Sequence, residues 1–259
     1  MVEDMKGKIA VVSGSAGIGL GCALRLAQAG ARVHLCGNDP KHNETAAEKT
    51  SGLDVRMHLL DVSEDQQVSD LAQQVAEADG GINALVNVAA IQPYGNIETT
   101  RPSDWDRTLN VNLRSCYLMS HYFYPLLKGR SDASIVHMAS VQGHANQRNV
   151  LAYATSKGAI HALTRAMAVD CAHDGVKVNS VSPGSIRTPL LEFAAESLTP
   201  HGGTMEETLA GFGKSHPIGR VGTVEEVAEL VAFLVGPRSG FCTGGDYPVD
   251  GGLRAQLGV

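Results

Sequence analysis

Tyr153 and Lys157 stand four residues apart in Tyr153-Ala-Thr-Ser-Lys157. Four residues is about one helical turn, so a helix here sets both side chains on one face. A free phenol titrates near pH ~10. An ammonium beside it favours the phenolate and lowers that value. Tyr153 is then able to exchange a proton with an alcohol or carbonyl near neutral pH. Ser140 lies thirteen residues before Tyr153, at the end of the apolar run Ser134-Ile-Val-His-Met-Ala139. Its hydroxyl is placed to hold the same substrate oxygen. A YxxxK pair alone recurs by chance on many helices; its spacing from a strand-end serine, downstream of a glycine turn, is what gives it weight.

That turn is Ser13-Gly14-Ser15-Ala16-Gly17-Ile18-Gly19. It follows the first strand pattern and opens a helical one. Glycines allow a sharp turn and close approach to a pyrophosphate, and a helix N-terminus offers N–H groups and the positive end of its dipole. Asp39, in Cys36-Gly37-Asn38-Asp39, sits twenty residues past Gly19, a distance at which a carboxylate accepts hydrogen bonds from an adenosine ribose. Asn38-Asp39-Pro40 also reads as a helix cap, and one residue can do both.

The elements that must position these groups alternate. Strand patterns lie at 8–13, 32–36, 55–59, 84–88, 134–139, 176–181 and 247–250, and helical patterns at about 18–29, 42–50, 64–79, 103–127, 153–173 and 223–235. Most strands are apolar throughout, as buried parallel strands are. Ser63-Glu-Asp-Gln66 and Thr223-Val-Glu-Glu226 have the form of capping boxes. Strict alternation predicts right-handed βαβ units: a single Rossmann-like, doubly wound parallel α/β sheet with helices on both faces, spanning 1–259 as one domain. An irregular stretch at about 189–217, rich in proline and glycine, reads as a substrate lid.

Composition narrows the function. The 259 residues are 43% hydrophobic and 19% charged, an ordinary globular balance. A net charge of −6 argues against a nucleic-acid partner. The apolar runs fall well short of the ~20 residues of a membrane span, and the N-terminal Met-Val-Glu-Asp-Met-Lys-Gly-Lys has no signal-peptide core; a cytoplasmic protein with no membrane partner is expected. Five scattered cysteines without a CxxC read as reduced thiols, and ten histidines without HExxH spacing predict no metal site.

The order of these motifs resembles the short-chain dehydrogenase/reductase family over essentially the whole chain: the glycine turn, Asp61-Val62, Asn87-Val-Ala-Ala90, Asn112 in Asn110-Val-Asn-Leu113, Ser140, Tyr153 with Lys157, Pro183-Gly-Ser-Ile-Arg-Thr188, and Val249-Asp-Gly-Gly252. The resemblance implies an NAD(P)-dependent oxidoreductase interconverting a secondary hydroxyl and a carbonyl. It makes Tyr153 the acid/base, with Lys157 lowering its pKa and binding the nicotinamide ribose. Ser140 orients the substrate oxygen, and Asn112 helps hold a water leading to Lys157. Gly14, Gly17, Ile18 and Gly19 take the pyrophosphate, Asn38 and Asp39 the ribose, Asp61 and Val62 the adenine. Asn87 and Ala89 lie beside the adenosine, and Pro183, Gly184, Ile186 and Thr188 at the nicotinamide end. Two features depart from the family pattern. Only Ser15-Ala16 separates the first two glycines, one residue short, and the fourth-strand motif lacks its second asparagine and its glycine.

NAD is expected over NADP, because no Arg or Lys stands at Ala16 or at Gly37-Asn38-Asp39 to meet a 2′-phosphate. Apolar residues along 103–127 and 153–173, among them Leu113, Tyr117, Leu118, Tyr122, Ile160, Leu163 and Met167, exceed what one buried face requires; relatives pair these helices, so a homotetramer is expected. For substrate, Gln92, Gln142, His144 and Asn146 offer donors and acceptors suited to a sugar, sugar acid or other small polar alcohol, and the motifs resemble sugar dehydrogenases; these side chains also read as solvent-facing loop tips. The alternatives are a 3-oxoacyl thioester reductase and a catalytically idle dinucleotide-binding sensor.

Overall fold

The computed structural model describes residues 4–257, so the first three and last two residues of the expected 1–259 domain lie outside it. Seven strands form one parallel sheet in the order β3-β2-β1-β4-β5-β6-β7. They are β1 (Ile9–Ser13), β2 (Arg32–Gly37), β3 (Val55–Leu59), β4 (Ala84–Asn87), β5 (Ser134–Met138), β6 (Lys177–Pro183) and β7 (Asp246–Val249). All lie within two residues of the sequence expectation. The fold is the Rossmann-like α/β sheet that the alternation predicts.

Side chains alternate across the sheet. From β1, Ala10 and Val12 enter one apolar layer with Leu20, Leu26, Val227, Val231 and Leu234. Val11 enters the opposite layer with Leu71, Val75, Leu118, Phe123 and Leu127. The first layer is covered by α1 (Gly17–Gln28) and α9 (Val224–Val235), the second by α3 (Asp65–Asp79), α5 (Ser115–Leu127) and α6 (Leu151–Cys171). The α1 and α9 backbones approach closely because position 21 is glycine; a Cβ there would stand 2.0 Å from Val224 Cγ1. The helix α2 (Pro40–Lys49) follows β2. The strand order reverses between β1 and β4, and a cleft opens beyond their carboxyl ends, where such sheets bind ligands.

Three local expectations are corrected. Ser63 forms no capping box: its N–H and O–H both go to Asp61 Oδ1, at 2.9 and 2.7 Å, so α3 is preceded by Glu64 without a side-chain cap. Thr223 does form one, with Glu226. The helix expected at 103–127 is broken into α4 (Pro102–Leu109) and α5 by a π-helical turn at Asn110–Arg114. The irregular 189–217 stretch contains two helices, α7 (Pro189–Leu198) and α8 (Met205–Lys214). Thr188 caps the first, and Thr204 with Glu207 forms a full capping box on the second.

Candidate active site

Ser140, Tyr153 and Lys157 line one cleft of about 1120 Å3. Ser140 leaves the end of β5 in extended conformation, and its Oγ accepts from Gln142 N at 3.1 Å, starting the short helical turn Val141–Gly143. This turn packs directly on α6. A Cβ on Gly143 would come within 2.9 Å of the Lys157 backbone and 2.6 Å of His161 Cε1. Lys157 is buried, and its Nζ donates to Met138 O at 2.7 Å while standing 5.4 Å from the Tyr153 ring centroid. The three groups thus meet through one strand end and one helix.

Burial governs their proton affinities. It pushes the Tyr153 phenol up to about 12, with a hydrogen bond to Ser140 acting the other way. It pulls Lys157 down to about 8, opposed by the Cys116 side chain. Burial is the first cause of both shifts, and the Lys157 ammonium gives its hydrogen bond to the Met138 carbonyl.

Asn112 does not line the cleft. The π turn carries its side chain inward, a common use of such turns. Fully buried, it accepts from Ile91 N at 2.8 Å and donates to Ile91 O at 2.9 Å and Ser156 Oγ at 3.0 Å. Ser156 in turn donates to Tyr153 O at 2.6 Å. With its oxygen and both N–H groups engaged, Asn112 ties the loop after β4 to the helix that bears Tyr153.

The shortened glycine turn still makes a cradle. Gly14 and Gly17 adopt φ of +94° and +51°, conformations open to glycine. A Cβ on Gly19 would lie 1.9 Å from Gly14 O; Gly19 therefore serves the close turn-to-helix packing and does not line the cleft. Ser13 Oγ accepts from Val88 N at 3.0 Å, joining this turn to the one after β4. Helix α1 begins with Ala16 at its N-cap and no side-chain capping bond, so its first N–H groups are left for an anion. Gly14, Gly17, Ile18, Asn38, Asp39, Asp61, Val62, Ala89, Pro183, Gly184, Ile186 and Thr188 all line the cleft. Asn87 does not: its Nδ2 pairs with His137 Nδ1 at 3.1 Å, turned toward β5. Asp39 caps α2, accepting from Lys41 N and His42 N at 2.8 and 3.0 Å; these bonds, His42's first, hold its carboxyl below the usual range. An extended dinucleotide fits this set in volume and chemistry: glycine backbone and free helix N–H groups for phosphates, and an anion at the β2 end for a ribose. Ligand sites commonly measure ~300–1,000 Å3.

Of the four substrate candidates, Gln92 and Gln142 line the cleft and His144 and Asn146 do not. His144 turns away to Asp246, its Nε2 2.7 Å from Oδ2. Asn146 is exposed on a shallow neighbouring groove. Sequence reasoning missed Tyr94 and Gln147, and the apolar face of α7 and α8 given by Leu190, Leu191, Phe193, Ala194 and Phe212. The amphipathic run Pro189-Leu-Leu-Glu-Phe-Ala-Ala-Glu196 was the available signal for the α7 part. Among the described residues, no helix is long and apolar enough to cross a membrane.

The family described as enoyl-(acyl carrier protein) reductase matches residues 12–254. The chain is similar to an NADP-dependent (R)-specific alcohol dehydrogenase of Lentilactobacillus kefiri, with 33% identity over 99% of this chain and 100% of the relative. A D-beta-hydroxybutyrate dehydrogenase of Rhizobium meliloti is 34% identical over 96% and 99%. The ligand-free structure of Thermoplasma acidophilum aldohexose dehydrogenase superposes with a TM-score of 0.92 at 33% identity, covering 100% of this chain and 98% of that one.

Proposed function

The chain belongs to the short-chain dehydrogenase/reductase family, an NAD(P)-dependent oxidoreductase acting on hydroxyl and carbonyl groups, and we propose that it works on a small polar alcohol, a sugar or sugar acid before others, through Ser140, Tyr153 and Lys157. The nicotinamide supplies the two-electron acceptor or donor; the chain supplies position and a proton. Ser140 Oγ holds the substrate oxygen. A phenol pushed up to about 12 is protonated at neutral pH, ready to donate as a carbonyl is reduced. In the oxidative direction the same oxygen must take a proton, and the nearby Lys157 ammonium stabilises the phenolate that does so. Asn112 acts from behind, fixing the Tyr153 backbone through Ser156.

The observation that carries the substrate class is Gln142. It lines the cleft two residues past Ser140, and its buried Oε1 has no protein partner. A buried acceptor without a partner is costly; Oε1 is shielded in this conformation, and turning the amide into the cleft lets a substrate hydroxyl satisfy it. Gln92 and Gln147 add further amides. The aldohexose and hydroxybutyrate dehydrogenases among its relatives are consistent with a polar substrate. A second reading, reduction of a 3-oxoacyl thioester, draws on the apolar face of α7 and α8. A panel of aldoses, sugar acids and polyols, set against hydrophobic secondary alcohols and β-ketoacyl thioesters, separates them. Turnover of only the latter group overturns the polar reading.

The same site favours NAD. At the β2 end Gly37, Asn38, Asp39 and His42 line the cleft; none is Arg or Lys, and the Asp39 anion repels a 2′-phosphate. The NADP-dependent relative sharpens the test: a tenfold higher kcat/KM with NADP than with NAD refutes the preference. The segment 189–217 serves as the lid of one catalytic domain. The chain assembles as a homotetramer through α5 and α6. Leu118 and Ile160 are core residues and drop from the expected contact, while Tyr117, 52% exposed, remains on the surface, joined by Val169, 79% exposed and not among the expected residues. A monomer mass by light scattering overturns the assembly.

A further inference from the structure

We propose that His144, His161 and Asp246 bind one divalent transition-metal ion of the Zn2+ class, at a site behind the catalytic turn and outside the cleft. The residues come from three elements: the end of the turn after Ser140, the middle of α6, and the start of β7. One ligand atom from each lies within 4.8 Å of the others. His144 Nε2 stands 2.7 Å from Asp246 Oδ2, and His161 Nε2 stands 3.5 Å from Asp246 Oδ1. An ion with ligands at ~2.0–2.2 Å needs them about 3–3.5 Å apart, so the ligand atoms have to shift by about an ångström; His161 Nε2 gives up its 3.1 Å contact with Ser182 Oγ, and the stacked rings of His144 and His161 rotate toward the ion.

The surroundings match a ligand site. Asp246 Oδ1 accepts from Ser180 Oγ at 2.8 Å and Ser182 Oγ at 2.7 Å, outer contacts of the kind that orient a ligating carboxylate. Side-chain exposure of 6% at His161, 18% at Asp246 and 33% at His144 leaves one side open for entry and for a water in the fourth position. Two nitrogens and one oxygen select a borderline metal over Mg2+ or Ca2+. The Arg254 guanidinium, 3.2 Å from Asp246 Oδ2, is the cation now in place; it is partly exposed and swings out as the ion enters. Since Gly143 lets the catalytic turn rest on His161, a bound ion braces the segment from Ser140 to His144 against α6 and β7.

The test is equilibrium dialysis of the metal-stripped full-length protein against Zn2+, with Co2+ absorbance to identify ligands. The wild type takes up one equivalent per chain, and His144→Gln and Asp246→Asn each weaken it at least ~10-fold. Co2+ gives ligand-field bands without the thiolate charge-transfer band that Cys242 ligation would bring. His144→Gln removes a partly exposed ring and keeps the fold, checked by circular dichroism, so it decides the matter alone if Asp246→Asn does not fold. Absence of stoichiometric uptake by the wild type, uptake unchanged by His144→Gln, or a thiolate band overturns the site.

Discussion

The floor and the cover of the cleft are built by opposite rules. On the floor, Ser140, Tyr153 and Lys157, with Asn112 behind them, are all buried, and each side chain has a named protein partner. The cover, α7 and α8, buries little beyond Ala194, Ala195, Leu209 and Gly213, and leaves Phe193 57% and Leu198 47% exposed. Its ion pairs, Arg187 with Glu206 at 2.6 Å and with Glu192 at 3.4 Å, are of the exposed kind worth little. Proton transfer demands fixed geometry, which packing and satisfied hydrogen bonds supply. Entry of a substrate demands an element that opens locally, and such elements come from the least stable parts of a fold.

The largest effect should come from the floor. Tyr153→Phe keeps the ring and removes the proton. Turnover should fall by about 10²–10⁴-fold, with cofactor affinity, read by fluorescence titration, retained. Near-normal turnover would place the chemistry elsewhere.

Lys157→Met tests how burial shapes the floor. Burial lowers the folded pKa to about 8, below the ordinary 10.5. Between those values the unfolded chain binds a proton that the folded chain has released, so this group adds stability as pH rises from about 8 to 10.5. The wild type should therefore gain on Lys157→Met across pH 8 to 10, by at most ~1.4 kcal/mol per pH unit. The window stays below the range where Tyr153, raised to about 12, acts with the opposite sign. A difference in unfolding free energy that stays flat with pH would mean the ammonium is better solvated than its position indicates.

The floor was largely legible in the sequence and the cover was not. Gly14, Ser140, Tyr153 and Lys157 sit at fixed offsets from strand ends, so period and spacing locate them. Asn112 was recognised by motif, but its manner of holding depends on a π turn that no local propensity marks. His144 was read as substrate-facing because it follows Ser140 by four residues; its actual partner, Asp246, is 102 residues away. The same distance hid the grouping of His144, His161 and Asp246, since spacing rules find only neighbours in the chain. Asn87 points to His137 rather than to the cleft for a like reason: the pleat of β4 decides its side, and the motif does not.

The cover makes a smaller prediction. Phe212 lines the cleft from α8. Phe212→Ala should raise KM for the best substrate by roughly tenfold, the scale of lost apolar contact in a binding site, with kcat within about twofold. A fall in kcat matching that of Tyr153→Phe would erase the division between floor and cover.

The smallest effect gives the closest comparison, because the molecule repeats one motif in both regions. Thr204 and Glu207 cap α8 in the cover; Thr223 and Glu226 cap α9 in the body. In each box the threonine oxygen accepts from the glutamate N–H, at 3.2 and 3.4 Å, and the glutamate accepts from the threonine N–H at 2.9 Å. Removing such a threonine costs about 0.5–2 kcal/mol of helix stability. Helix α9 buries Val227, Val231, Leu234 and Val235 in the core, so its loss is the loss of the fold. Thr223→Ala should lower Tm by roughly 1–8 °C, at about 2–4 °C per kcal/mol for a chain of this size. If α8 opens by itself, Thr204→Ala changes the local equilibrium and not the global one. Tm should then hold within about 1 °C, while amide exchange across 199–214 speeds several-fold. Equal losses of Tm in the two variants would show that cover and body melt as one unit, and the lid reading of 189–217 would fall with that result.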